Sequence, residues 1–365
     1  EALYTEEYCT PTIVPSEHFN TVTYTGNGGT QSITGVGFQP DFTWIKNRQS
    51  PPINTFNLLF DSVRGATKWL SSNETNAEGT IASSLTSFDS DGFSLGTDPV
   101  GGSEGWNING NEHVAWNFKA GGAAVTNTDG TITSQVSANT EAGFSIVSYT
   151  GNSVSGATVG HGLDAAPSVM IFKRRSNVEE SWNVWHSSIP TKVGFLNYTD
   201  AFINYSVLGS NDSQIVLNNG TGHNASAPYI AYCFAEVEGF SSFGSYVGNG
   251  STNGPTIVTG FEPAFVMIKR TDSTSDWGIW DNKRSTENPR DVKLNANDSG
   301  SESGPNSLLN IDFFENGFQI TNSNANTNAS GGSFIYMAFA TDPTAVEPTL
   351  EDSFNTVLYS GNGGT

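Results

Sequence analysis

The chain has 365 residues, 36 acidic against 15 basic, a formal net charge of −21, 12% aromatic residues and 40 glycines. Such a lysine-poor, acidic chain excludes a nucleic-acid binder, which needs clustered cations to displace counterions. No apolar run reaches the length of a membrane span, about 18 residues, which excludes insertion by a helix. Two cysteines, Cys9 and Cys233, cannot make a disulfide framework.

In chain order, residues 1–16 read as a linker containing Pro11 and Pro15. Phe19-x-x-x-x-Tyr24-Thr25-Gly26-Asn27 then opens a unit that closes on Val114-Ala115-Trp116-Asn117-Phe118. The opening recurs at Phe144…Tyr149-Thr150-Gly151-Asn152, at Phe240…Tyr246-Val247-Gly248-Asn249 and at Phe354…Tyr359-Ser360-Gly361-Asn362. A spacing of about 100 residues is too long for a solenoid unit and right for whole domains. Between opening and close the first three copies keep one order of landmarks. Each has a proline and an apolar run ending in lysine (Lys46, Lys173, Lys269), then an apolar or aromatic strand (Asn57–Phe60, Trp182–Trp185, Trp277–Trp280). The boundaries follow as repeat 1 over 17–122, a connector or extra hairpin over 123–140, repeat 2 over 141–237 and repeat 3 over 238–342. A proline spacer over 343–352 precedes a fourth, truncated copy over 353–365. The chain thus resembles one stretch of a longer bead-string. The short joint Glu236–Gly239 predicts that repeats 2 and 3 abut along a nearly straight joint, while Gly121–Thr140 predicts a more independent first repeat.

Runs such as Phe144–Tyr149 alternate apolar and polar, the period of a strand buried on one face. The runs ending in lysine are apolar on both faces and predict inner strands, with Val169, Ile171, Val266 and Ile268 buried, along with Trp116, Tyr232 and Phe339. Asn-Gly, Asp-Gly and Gly-Gly pairs supply tight turns. A short helix candidate lies near Arg64 to Leu70. The fold class is therefore all-β, tandem antiparallel β-sandwiches.

Few residues point to chemistry. The histidines 18, 113, 161, 186 and 223 share no metal-ligand spacing, and no nucleophile elbow, P-loop or zinc-protease helix is present. Asp89-Ser90-Asp91-Gly92 offers Asp89 and Asp91 as calcium candidates, but the twelve-residue loop lacks its glutamate, and a hairpin turn explains the same residues. No other cofactor is expected. Trp106, with Asn107 and Asn109, lies in a glycine-rich polar loop and predicts a glycan or receptor contact, the ring stacking on a sugar and the amides taking its hydroxyls. The remaining tryptophans, among them Trp44, Trp116, Trp182 and Trp277, fall on apolar strands and predict core or inter-repeat contacts, and Cys233 a small core residue.

Tyr24 to Phe42, Phe60 to Leu70, Phe88 to Phe93 and Val114 to Gly122 together resemble a repeat domain of virion proteins from marine tailed bacteriophages. The likeness is specific over 17–122 and rests on landmarks alone in repeats 2 and 3; repeat 2 lacks the Val-Arg-Gly segment and the Asp-Gly turn. It implies concanavalin- or laminin-G-like jelly-roll sandwiches in an extracellular particle, as part of a tail fibre or other structural component. It also implies other virion subunits, further copies of the chain and a host cell-surface glycan or protein as partners. Fold and repeat type do not fix an activity. The expectation is a non-enzymatic structural and adhesive segment; the alternative is a secreted, lectin-like carbohydrate-binding adhesin array.

Overall fold

The computed structural model describes residues 13–49, 55–98, 104–176, 178–205 and 208–343. The opening linker up to residue 12, the spacer from 344 and the fourth copy of the motif lie outside the described residues. The protein is an all-β antiparallel sandwich structure, 43% strand and 3% helix. Repeat 1 contributes β1 (Phe19–Thr25), β2 (Gln31–Thr34), β3 (Phe42–Asn47), β4 (Leu58–Asp61) and β5 (Lys68–Ser71). It continues through β6 (Gly79–Thr80), β7 (Leu85–Asp89), β8 (Gly92–Leu95) and β9 (Glu112–Phe118). Lys68–Ser71 pairs as a strand with β4, so the helix expected near Arg64–Leu70 is instead a turn leading into β5.

β10 (Val125–Asn127) and β11 (Ser134–Asn139) come next, then β12 (Phe144–Thr150), β13 (Ala157–Gly160), β14 (Val169–Arg174), β15 (Asn183–His186) and β16 (Lys192–Phe195). Repeat 2 ends with β17 (Ile203–Asn204), β18 (Gly209–Ser210), β19 (Gln214–Leu217) and β20 (Pro228–Phe234). Repeat 3 has β21 (Ser241–Val247), β22 (Thr256–Val258), β23 (Pro263–Arg270), β24 (Trp277–Asp281) and β25 (Leu294–Asn295), then β26 (Ile311–Phe314), β27 (Gly317–Ile320) and β28 (Ser333–Ala340).

All three repeats share one topology. A large sheet runs β1-β9-β3-β4-β5, β12-β20-β14-β15-β16 and β21-β28-β23-β24-β25, and a three-stranded sheet runs β2-β8-β7, β13-β19-β18 and β22-β27-β26. The landmark lysine runs are inner strands, paired on both sides. Each sandwich has its own core between the two sheets, around Phe60 and Phe93, around Phe172 and Ile215, and around Trp280 and Phe318.

The other face of each large sheet is apolar too, and the three such faces close on one another. A single cluster takes Trp116 and Phe118 from repeat 1, Tyr232 and Phe234 from repeat 2, and Met337 and Phe339 from repeat 3. The equivalent rings Phe118, Phe234 and Phe339 touch pairwise, with centroids 5.7, 5.0 and 5.9 Å apart. Around them the packing leaves a cavity of only about 20 Å³. The protein is a three-membered ring around a pseudo-threefold axis, which corrects the bead-string. The Gly121–Thr140 segment is no independent tether, because β10 and β11 extend the large sheet of repeat 2 beyond β12. The Glu236–Gly239 joint is a tight turn rather than a straight one, with Phe240 and Ser241 both donating to the Val237 carbonyl.

The seams of the ring repeat one design. The landmark lysine of each repeat crosses to a carbonyl of its neighbour: Lys46 to Asp298 at 2.7 Å, Lys173 to Thr75 at 2.8 Å and Lys269 to Thr199 at 2.9 Å. Burial pulls all three ammonium groups down to about 8. Beside them Trp182 Nε1 donates to Ser71 O and Trp277 Nε1 to Phe195 O, and Asn57 takes the same place against Ala296 O. Two seams carry buried ion pairs. Arg64–Asp61 (2.5 Å) accepts Tyr232 OH from repeat 2, and Arg284–Asp281 (2.6 Å) accepts Trp116 Nε1 from repeat 1. Arg175 grips Glu78 and Arg48 grips Glu302 across the same two seams. The third seam has no such pair among the described residues. His186 stands where Asp61 and Asp281 stand, facing the Tyr336 carbonyl at 3.3 Å, and Phe202 packs on Trp277. The Val-Arg-Gly segment missing from repeat 2 is the arginine of this ion pair, replaced by Ile189.

A ring with one shared core unfolds as a unit. Asp61→Ala strands Arg64 in the interior and should cost about 3–5 kcal/mol. Calorimetry should show one transition, shifted down whole by the substitution; a repeat-1 transition moving alone would contradict the shared core.

Candidate functional site

The loop singled out for sugar contact is built inward. Gly105 and Asn111 bracket it, and Trp106 lies between the two sheets of repeat 1 with 0% of its surface exposed. Its Nε1 donates to the Gly96 carbonyl at 3.3 Å, and its own carbonyl accepts Tyr24 OH at 2.5 Å. Asn107 is equally buried, accepting Asn27 N–H at 3.0 Å and donating to the Gly29 carbonyl at 2.7 Å. Of the three residues expected to make the contact, only Asn109 faces solvent. The expected stacking platform is therefore corrected: an indole filling the sandwich contributes more as core than it could at the surface.

The same geometry explains the recurring Tyr-x-Gly-Asn words. Asn224 accepts from Asn152 N–H at 3.0 Å and Asn328 from Asn249 N–H at 2.8 Å, while Tyr149 and Tyr246 donate to the carbonyls of His223 and Thr327. A Cβ on Gly26, Gly151 or Gly248 would stand 2.2, 2.2 and 2.3 Å from a carbonyl oxygen of the facing loop. Each motif is one half of a lock whose other half is a buried asparagine at the end of the closing loop. The signal was present, since Asn107, Asn224 and Asn328 hold the same place before the closing strand.

The calcium candidates do not converge. Asp89 accepts from Ser87 and Ser94 hydroxyls at 2.8 and 2.6 Å. Asp91 accepts the N–H groups of Gly37 and Gly35, which hold its carboxyl below the usual range. Those donors point N–H bonds where a cation would need open oxygens. The turn itself requires Gly92, at φ +146° and with a Cβ that would strike the Ile33 carbonyl, and Gly317 repeats it at +152°. Among the described residues no group of three His, Cys, Asp or Glu could hold a metal.

Three histidines and the described cysteine are interior. Burial lowers His113, His186 and His223 to about 4 and pushes the Cys233 thiol up to about 12. An open concavity of about 720 Å³ lies where repeat 1 meets the β10–β11 extension and is lined by His18, Asp41, Lys119, Asn139 and Glu141, among others. Asp41 has both oxygens committed, to Ser62 Oγ and to the N–H groups of Ala120 and Gly122, and His18 is committed to Asn139. These groups brace the junction between the repeats.

What the geometry defines is a pseudo-threefold ring of three antiparallel β-sandwiches whose recurring polar residues serve its seams and turns. A family model described as a domain of unknown function, DUF7483, matches residues 14–343, and the chain belongs to that family. The match runs through all three repeats, so the shared unit spans the ring rather than one sandwich. No curated protein and no solved structure matches the chain.

Two outcomes follow from the site. Trp106→Ala should lower stability by about 3–5 kcal/mol, the cost of emptying a core indole, measured by denaturant unfolding; a loss under 1 kcal/mol would return Trp106 to the surface. The three low histidines stay neutral when folded but bind protons near 6.5 when unfolded. Stability is then complete above about 6.5, falls as pH drops and levels off below about 4, by up to about 3 kcal/mol for each histidine. Urea midpoints flat from pH 7 to 4.5 would contradict this.

Proposed function

We propose that the chain is a non-enzymatic structural and adhesive segment of a bacteriophage tail fibre or other virion appendage, assembled with other virion subunits and presented to the host surface. The observation that carries this is where the polypeptide crosses the ring boundary. Ser16 N–H donates to Asp342 Oδ1 at 2.8 Å, so the chain arrives and leaves side by side. A rigid unit with adjacent ends can be hung on a longer fibre without interrupting it, leaving its far end free for contact. The recurring lysines, arginines and asparagines are all engaged within the ring, which supports a scaffold role over a chemical one. The likeness of residues 17–122 to phage virion repeats supplies the setting.

The test is to follow the protein through gradient purification of the particles that carry it, with an antibody against the ring. Co-sedimentation that survives salt washing is expected. Recovery only as free secreted protein would replace the appendage with the adhesin array.

A further inference from the structure

The polypeptide leads from repeat 1 into repeat 2 and from repeat 2 into repeat 3. At the seam between repeats 3 and 1 the two ends meet without a peptide link, Ser16 N–H donating to Asp342 Oδ1 at 2.8 Å. Beside that bond lies a cavity of about 100 Å³, lined by Thr21, Ala264, Asn282 and Lys283 among others. Its place in the fold is the one that the Asp41 carboxylate fills in repeat 1. Phe42 pairs with Asp61 and Phe265 with Asp281, so Ala264 is the counterpart of Asp41 and Asn282 the counterpart of Ser62. The backbone repeats the match, Ser62 N–H donating to Asp41 O at 2.8 Å and Asn282 N–H to Ala264 O at 2.9 Å. In repeat 1 the Asp41 carboxylate accepts Ser62 Oγ–H and the N–H groups of Ala120 and Gly122. Ala264 has no carboxylate to put there, and the space stays open. Two polar atoms on its wall are left over. Thr21 is 3% exposed and its Oγ finds no partner among the described residues; nor does the buried Oδ1 of Asn282. Buried polar groups are otherwise paired almost throughout a folded protein, so such a pair calls for an occupant.

We propose that this cavity binds a small monocarboxylate, which takes the place of the missing Asp41 carboxylate. Thr21 Oγ–H donates to one of its oxygens. The Asn282 amide donates through Nδ2 once turned by 180°, a rotation that leaves its shape unchanged. Lys283, exposed and without an ion pair among the described residues, supplies the positive charge. Asp342 is the acidic side chain on the wall, and its Oδ1 is already turned to Ser16 N–H. A cavity of about 150 Å³ takes benzene, so one of this size takes a group of roughly four heavy atoms, which is acetate. A metal cation fits less well, because it would meet the Lys283 ammonium. The bound group ties Thr21 of repeat 1 to Asn282 and Lys283 of repeat 3, and so fastens the ring where the backbone does not. The proposal does not depend on the appendage reading.

The test is thermal unfolding of the full chain in sodium acetate against sodium chloride at equal ionic strength, with ammonium chloride as the cation control. Acetate at about ten times its Kd should raise the melting midpoint by about 2 °C, and neither chloride salt should. Ala264→Asp supplies the carboxylate from the chain itself and should abolish the acetate response. Thr21→Val keeps the size and removes the hydroxyl. It should weaken acetate about tenfold with the acetate-free midpoint unchanged, and it gives the readout should Ala264→Asp fail to fold. Equal midpoints in acetate and chloride, or a response that survives either substitution undiminished, would overturn the proposal. Stabilisation by ammonium in place of acetate would do so too, and would assign the cavity to a cation.

Discussion

The structure depends on one constraint: each large sheet has two apolar faces and its own small sheet covers only one. A five-stranded sheet carrying residues such as Phe42, Trp44, Trp116 and Phe118 on its second face cannot leave that face in water. Two solutions exist in principle, a second covering sheet or a partner with the same problem. The chain uses the partner twice over, so three second faces close into one core and every repeat completes the other two. The sandwich is therefore the topological unit and the ring the stable one.

That arrangement decides where charge can go. Basic residues are scarce, and those that mark the seams are inside: Lys46, Lys173 and Lys269 are at most 1% exposed, and Arg64 and Arg284 are also buried. A buried ammonium held by two carbonyls has lost its hydration, as the lowered lysine pKa values record. In return it places a fixed, directional contact at each seam, which apolar packing alone does not provide. With many cations drawn inward, the outer surface is left largely to carboxylates and neutral amides. The acidity of the outer surface is thus partly a consequence of how the ring is fastened.

Much of this was legible in the sequence, and the remainder was hidden for definite reasons. The period-2 runs and turn glycines identified strands, and the doubly apolar runs ending in lysine identified inner strands, because burial on both faces leaves no polar alternation. What covered the second face was not readable, since an apolar residue looks the same against its own sandwich or a neighbour's. Linker length misled for a related reason. Residues 123–140 are long enough to be free, yet Val136 and Ser137 pair with Val147 and Ile146 in the sheet of repeat 2. Trp106 was misplaced because a polar, glycine-rich loop looks exposed; its asparagine and glycines were there to let two backbones approach, as the 2.2 Å clearance over Gly26 shows.

The departures from threefold symmetry carry as much information as the repetition. Two seams use an aspartate–arginine pair that accepts a donor from the next repeat, and the third uses His186 and Ile189 against Tyr336 and Met337. An ion pair sealed from water is favourable only while both partners and their hydrogen bonds remain. Asp61 therefore requires Arg64 and Tyr232 together, and Asp281 requires Arg284 and Trp116 together. Where repeat 3 presents Met337 in place of that tyrosine or tryptophan, the donor is gone, and a neutral histidine satisfied by a carbonyl replaces the pair. The residue at each seam is thus set by its neighbour across the boundary rather than by its own repeat. That is why a repeat-by-repeat comparison shows these positions as irregular, while the closed ring shows each of them matched.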